Sequence, residues 1–342
     1  MTTTTDPGPS GTPGPTTVLV VLGGPDRLRR ADRELLVLAG GLGTTHVVVP
    51  DAPHDTLLDA LAGHAVHTVH APETGPGDRL TTPAVALTEA AAREAGATVL
   101  LLAAGPEATD VAARLGVRLG AGVVTDAVAL DADLVATKSV LAGGWTTRCR
   151  ATSPVLVATV RPNSVELPSD VPSDVPADAT AAVPTGADRP RVRTHAVEDT
   201  APAARVVGRT ALPATGRPAL AEARVVVAGG RGTGGDFGPL EELADALGGA
   251  IGASRAAVDA GWAGPEAQVG QTGHTVSPEL YVSCGISGAV QQRTGMQTAG
   301  TIVAVNKDEQ APIFEIADLG IVGDLRTVLP QAVAHLRALR GE

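Results

Sequence analysis

Three stretches between Gly252 and Gln291 combine glycine with the side chains that hold nucleotides. Gly252–Gly261 carries Ser254 and Arg255. Gln268–Gly273 carries Val269, Gly270, Gln271 and Thr272. Gly285–Gln291 carries Ser287, Gly288, Ala289 and Val290. Polar loops between apolar strands place backbone N–H groups and hydroxyls at strand ends, where α/β sheets bind nucleotides. A Ser–Arg pair in such a loop suits an anionic or electron-rich ligand, although a surface ion pair would use the same arginine. Gln271-Thr272-Gly273 can hydrogen-bond the edge of a heteroaromatic ring without carrying charge. Ser287–Gln291 sets small residues at a loop-to-helix junction, so that a helix N-terminus can face phosphate or an anionic ring. Ordinary turns and caps draw on the same residue types. Asn306 closes a further apolar run, where an amide can read adenine or ribose, and Asp324 is equally a ligand or a helix N-cap.

A fourth loop, Gly230-Arg231-Gly232-Thr233-Gly234-Gly235, places glycines at 230, 232 and 235 in a G-x-G-x-x-G pattern between an expected strand and an expected helix. That pattern lets backbone approach a pyrophosphate. A nicotinamide-binding domain also wants an acid about 20 residues on. Ala250–Ser254 fills that place, and no acid follows until Asp259. The fingerprint is incomplete, and a plain tight turn explains it as well.

No Ser–His–Asp or Cys–His set stands out. Most of the eight histidines lie in the first half, and only His274 falls in a polar loop. Without an acid, base and nucleophile, the chemistry falls to a bound cofactor. Cys149 and Cys284 fall in different expected domains, which argues against a disulfide, fits a reducing cytoplasm and makes no metal site.

The elements that must position these loops are built from small aliphatics, since hydrophobic residues make up 44 % of the chain and aromatics 1 %. Its 342 residues favour two domains. The net charge of −11 argues against a general nucleic-acid or anionic-membrane binder. No apolar run approaches the roughly 20 residues of a spanning helix, so direct membrane insertion is not expected. Residues 1–16, mostly Thr, Pro and Gly, lack the basic segment of a secretory leader and read as a disordered tail.

Strand-like runs at Thr17–Leu22, His46–Val49, Thr98–Ala103 and Val123–Val128 alternate with helical spacing at Thr56–Ala62 and Thr82–Glu94. This predicts βαβ units and a mainly parallel sheet over 17–211. Val155–Val160 and Ala204–Val207 are further strand candidates, read as an antiparallel extension, and Gly143-Gly144 reads as a turn. Pro168–Pro190, with its Pro-Ser-Asp-Val repeat, cannot bury a core and reads as a mobile insertion without a function. Leu212–Ala219 marks the boundary to a second α/β domain over 220–342. Its expected strands are Ala223–Ala228, Ala250–Ala253, Leu280–Ser283 and Thr301–Val305, with Gly320–Val322 strand-like. The expected helices are Leu240–Leu247, stopped by Gly248-Gly249, one from Ser287, and one near Leu325–Leu339.

From about Val225 to Leu329 the chain resembles the α subunits of electron transfer flavoproteins. The words Gly229–Gly232, Gly252–Gly261, Val269–Gly273, Pro278–Tyr281, Gly285–Gln291, Thr301–Asp308, Ala311–Phe314 and Ala317–Leu325 follow that family in order. In the first half the clear echoes are Gly120–Asp126 and Thr159–Pro162. The resemblance implies an α/β fold of two domains, each a mainly parallel sheet flanked by helices, the second flavodoxin- or Rossmann-like and FAD-binding. It implies a heterodimer with a β subunit, a domain that swivels, and an electron carrier rather than an enzyme. Electrons would pass from acyl-CoA dehydrogenases and other flavin dehydrogenases to a quinone oxidoreductase.

Carried over position by position, the resemblance puts Arg231 near the flavin, with Ser254 and Arg255 contacting it and tuning its potential. Val269, Gly270, Gln271 and Thr272 would line it, Thr272 donating to the reactive ring nitrogen. Ser287, Gly288, Ala289, Val290 and Gln291 would wrap the ribityl and pyrophosphate side, and Asn306, Asp324 and Leu325 the ADP half. Gln292 stands where the family usually has a histidine near the pyrimidine carbonyl. A neutral amide stabilises a one-electron-reduced anionic ring less than a protonated imidazole would. Two other readings stand beside the carrier: an NAD-dependent Rossmann-type oxidoreductase, from the G-x-G-x-x-G loop, and a non-catalytic nucleotide-binding α/β module, from the first half.

Overall fold

The computed structural model describes residues 16–75, 78–141, 143–168, 188–197, 201–208, 210 and 216–341. Most of the Pro-rich segment, the tail and part of the expected boundary lie outside these residues. In the first region, aliphatic runs build β1 (Thr17–Val21), β2 (Thr44–Val48), β3 (Thr68–Pro72), β4 (Val99–Ala103) and β5 (Gly122–Ala127). A hairpin unit follows, β6 (Ala129–Leu130), β7 (Val135–Val140) and β8 (Trp145–Arg150), then β9 (Leu156–Val160) and β10 (Arg191–His195). Seven of these strands make one parallel sheet in the order β10-β3-β2-β1-β4-β9-β5, and β6-β7-β8 form a small antiparallel sheet. Four helices cover its two faces: α1 (Arg30–Leu42), α2 (Asp55–Ala62), α3 (Thr82–Ala95) and α4 (Pro106–Leu119).

Two of the expected strands differ from the observed pairing. Leu156–Val160 is no antiparallel extension; it pairs in parallel between β4 and β5, every residue buried. Ala204–Val207 forms no strand, and Arg205 makes only an isolated bridge to Arg79. Gly143-Gly144 does lie in the turn between β7 and β8. The two family-like words of this region meet: the Asp126 N–H donates to Thr159 Oγ1 at 2.8 Å, and the Arg161 guanidinium grips the Asp126 carboxylate with Nε–H···Oδ1 2.9 Å.

Histidines join three neighbouring strands of this sheet. His46 Nδ1 lies 3.1 Å from His70 Nε2, and His70 Nδ1 lies 2.9 Å from His195 Nε2. His67 packs its ring on His46, and Glu94 of α3 faces His195. Burial and its two imidazole neighbours push the His70 pKa down to about 4.

The second region holds a five-stranded parallel sheet of β11 (Val225–Gly229), β12 (Ala250–Ala253), β13 (Leu280–Cys284), β14 (Thr301–Asn306) and β15 (Leu319–Val322), in the order β12-β11-β13-β14-β15. This is the flavodoxin-like order, with its crossover between β11 and β13. On one face α5 (Gly238–Leu247) and α8 (Leu325–Arg340) pack over Val227, Val282 and Val305. Pro239 starts α5, and Gly248, at φ +65°, stops it in the left-handed conformation. The other face carries only short helices, α6 (Arg255–Asp259) and α7 (Val290–Arg293), over Tyr281, Met296 and Ile313. The helix expected from Ser287 is thus one turn, so no long helix aims its N-terminus from there.

The two regions touch through Arg30, whose guanidinium pairs with the Glu279 carboxylate at 3.7 Å, and through the Asn163 amide, which donates to the Ala223 carbonyl at 3.2 Å. Among the described residues no helix is long and apolar enough to cross a membrane, and no group of three or more His, Cys, Asp or Glu converges on a metal position.

Candidate functional site

All five strands of the second sheet run the same way, so the loops at their carboxyl ends gather at one edge. They enclose a cleft of about 600 Å³, within the roughly 300–1,000 Å³ range of small-molecule and cofactor sites. Its base is the crossover. The Gly230 N–H donates to the Cys284 carbonyl and the Gly232 N–H to the Gly285 carbonyl, both at 2.9 Å. A Cβ on Gly230 would sit 2.5 Å from the Gly285 carbonyl oxygen. The first two glycines of the G-x-G-x-x-G pattern therefore serve loop-on-loop packing, and the helix that follows starts only at Gly238.

Ser254 directly follows β12 and is buried; its Oγ accepts from the Ala257 N–H at 3.3 Å and caps α6. It thereby holds Arg255 at the cleft, where the exposed guanidinium pairs with Asp259 at 3.4 Å. The Gln268–His274 loop is pinned by Val269 N–H to the Ala253 carbonyl (2.9 Å) and Gln271 N–H to the Gln291 carbonyl (2.8 Å). Val269 is buried as part of the floor. Thr272 Oγ1 accepts from Gln268 Nε2 at 2.8 Å, which leaves the Thr272 O–H to donate.

Asn306 lines the cleft, but its side chain is engaged. It donates to the Ile286 carbonyl at 3.0 Å and accepts from the Asp308 N–H at 3.1 Å. This amide braces two loops against each other. Gln292 is buried and meets Tyr281 Oη at 3.0 Å.

Of the residues singled out from sequence, Arg231, Ser254, Arg255, Val269, Gly270, Gln271, Thr272, Ser287, Ala289, Gln291, Gln292 and Asn306 surround this cleft. Asp324 and Leu325 line a second cavity of about 250 Å³, which shares Arg231 and Gly232 with the first. There Asp324 accepts from the Arg326 N–H at 2.9 Å as N-cap of α8 and pairs with Lys307 at 2.8 Å. Lys307 and that N–H hold its carboxyl below the usual range. Gly288 and Val290 line neither cavity: Gly288, at φ +79°, backs onto Ile313, and the Val290 side chain is exposed. Sequence reasoning passed over Asp259, Gln268, Ile286 and Asp308 as wall residues. Asp259 had a signal, its i,i+4 spacing from Arg255 on a short helix.

The walls combine bare glycine backbone at 232, 270 and 285, neutral amide and hydroxyl groups, and the cations Arg231 and Arg255. The adjoining cavity adds Lys307 and Arg326. A flat heteroaromatic group with an anionic tail fits this donor set. FAD has both parts.

Comparison with known proteins points the same way. Residues 16–200 match the family model described as the electron transfer flavoprotein domain, and residues 219–297 match the electron transfer flavoprotein FAD-binding domain. The chain is 41 % identical over 319 residues to the electron transfer flavoprotein subunit alpha of Mycobacterium leprae, covering 92 % of this chain and 96 % of that relative. Over 122 residues it is 60 % identical to the Paracoccus denitrificans subunit, covering 35 % of this chain and 40 % of that relative. A mitochondrial alpha subunit from Dictyostelium discoideum is 57 % identical over 123 residues, 35 % of either chain.

Proposed function

We infer that this chain, which belongs to the electron transfer flavoprotein α-subunit family, is the FAD-holding half of a two-subunit electron carrier. The observation that carries this reading is the glycine-based cleft at the β11–β13 crossover, inside the segment that matches the FAD-binding domain.

FAD, when bound, accepts and releases electrons, and the protein supplies binding, orientation and electrostatics. The Arg255 guanidinium favours negative charge in the cleft, since a cation stabilises a nearby anion. The Thr272 O–H offers a neutral hydrogen bond that moves no charge. Val269 and Ile286 exclude water from the floor. Gly232 and Gly285 keep the base thin enough for close approach. Arg231 stands between the two cavities, and Lys307 and Arg326 suit the phosphates of the nucleotide half. By this reading Ser254 acts by holding Arg255 in place, and Asn306 by fixing the loops.

A carrier hands electrons to protein partners. The partners we propose are a β subunit, acyl-CoA dehydrogenases and other flavin dehydrogenases as donors, and a quinone oxidoreductase as acceptor, with the chain working in the cytoplasm and turning over no substrate of its own. An NAD-dependent oxidoreductase draws less support, because Gly230 and Gly232 are occupied with the β13 loop and Ser254 stands where a ribose-binding acid would end β12.

The test is anaerobic mixing of the purified α–β assembly with substrate-reduced acyl-CoA dehydrogenase. Bleaching of the visible flavin band by the dehydrogenase, and not by NADH alone, is expected. Bleaching by NADH alone would overturn the carrier reading.

A further inference from the structure

Beneath the cleft, one hydrogen bond joins a fully buried phenol to a side chain of the cleft wall. Tyr281, on β13, is 0 % exposed, and in the structure its hydroxyl accepts from Gln292 Nε2 at 3.0 Å. Gln292 is 7 % exposed and lines the main cleft. Among the described residues neither side chain has another hydrogen-bond partner.

A half-turn about the last side-chain bond of a glutamine exchanges its amide nitrogen and oxygen and leaves its other heavy atoms in place. With nitrogen toward Tyr281, the phenol accepts, and its own O–H is left without an acceptor in an apolar layer of Val226, Val269, Met296 and Ile302. An orphaned buried donor is expensive, so native interiors avoid it. With oxygen toward Tyr281, the phenol donates and no buried donor is stranded. Both amide N–H groups then turn outward, where a bound molecule or water accepts them. Burial also raises the Tyr281 pKa, which keeps the phenol protonated and a donor.

We infer that Tyr281 is a positioning residue: its O–H holds the Gln292 carbonyl, so that Gln292 presents N–H groups to an acceptor atom of bound FAD. The inference rests on the FAD reading above and deepens it, because it assigns the cleft a donor at this point and assigns the donor's direction to a residue that never touches the ligand. The pair is neutral, so it orients without placing a charge in the cleft.

The test uses the purified α–β assembly, stripped of FAD and reconstituted. Tyr281→Phe removes one oxygen and keeps the ring. Loss of one neutral hydrogen bond's worth of orientation raises the FAD dissociation constant about 2- to 12-fold. With ¹⁵N-labelled glutamine, the side-chain NH₂ signal that disappears in Gln292→Glu should shift on FAD binding in the wild type and lose that shift in Tyr281→Phe. Gln292→Glu, which puts an acceptor where the donor stood, should weaken FAD binding more than 10-fold and keeps the inference testable if Tyr281→Phe does not fold. Unchanged affinity in either variant, or an FAD-dependent shift that survives in Tyr281→Phe, overturns the inference. A wild-type assembly that takes up no FAD contradicts the functional reading itself, a separate outcome.

Discussion

Gly232 and Gly285 touch backbone to backbone where the loops after β11 and β13 cross. The Gly232 N–H donates to the Gly285 carbonyl at 2.9 Å. A Cβ on Gly232 would lie 2.6 Å from Gly285 Cα, and one on Gly285 would lie 2.7 Å from Gly232 Cα. Gly285 also sits at φ +61°, a conformation that disfavours any side chain. This contact sets the depth of the cleft base.

Gly232→Ala must therefore push the two loops apart. Overpacking of this kind costs about 1–3 kcal/mol, and it should also lower the FAD content of the purified assembly. Gly248→Ala is the control: its φ is +65° with open space around it, so it carries only the backbone cost of roughly 1–2 kcal/mol. Thermal unfolding and flavin content, measured together, should separate the two, with FAD retained only in the Gly248 variant.

Arg255 and Asp259 form an exposed pair at the cleft wall, 3.4 Å apart. Removing the cation should make the bound flavin harder to reduce, and removing the anion should make it easier. Arg255→Ala is expected to lower the midpoint potential and Asp259→Asn to raise it. Each shift should be tens of millivolts, the one-electron equivalent of roughly 0.5–1 kcal/mol for an exposed charge. A spectroelectrochemical titration reads both, and a potential unmoved by Arg255→Ala would place that side chain away from the ring.

His70 ties the histidine chain of the first sheet together, and its pKa of about 4 lies below the 6.5 of the unfolded residue. His46 and His195 flank it, while Glu94 and Arg193 stand at the far end. Because the folded state binds its proton less readily, stability is complete above pH 6.5. It is lost progressively as the pH falls from 6.5 toward 4, by up to about 3 kcal/mol for this group. His70→Gln should flatten that part of the stability–pH curve, as measured by urea unfolding at pH 7.5, 6 and 5.

The site was more legible than the frame around it. The wall loops after β11, β12 and β13 each follow a short apolar strand, and these loops and Gln268–Gly273 are marked locally by glycine beside Ser, Thr, Gln or Arg, so Ser254, Gln271 and Thr272 could be placed without tertiary information. What local pattern could not show is how a side chain is engaged. Asn306 is taken up by Ile286 and Asp308, and Asp324 belongs to a neighbouring cavity because it caps α8. In the first sheet, Leu156–Val160 is apolar throughout because it is buried on both faces, and such a run does not reveal its neighbours. Its partner β5 is separated from it by the β6–β8 hairpin, and the chain order misled. The strands β3 and β10 carry His and Arg in place of an alternating apolar pattern. Contacts such as His70 with His195, 125 residues apart, leave no local signature.

The most direct measurement is the cofactor content of the purified α–β assembly, with the cofactor identified after denaturation, in the wild type and in Gly285→Val. The account predicts FAD in the wild type, close to one per α chain, and its loss in Gly285→Val, where a branched side chain fills the crossover at a left-handed backbone position. A colourless wild-type assembly that stays so after incubation with FAD, or undiminished flavin in Gly285→Val, would contradict it.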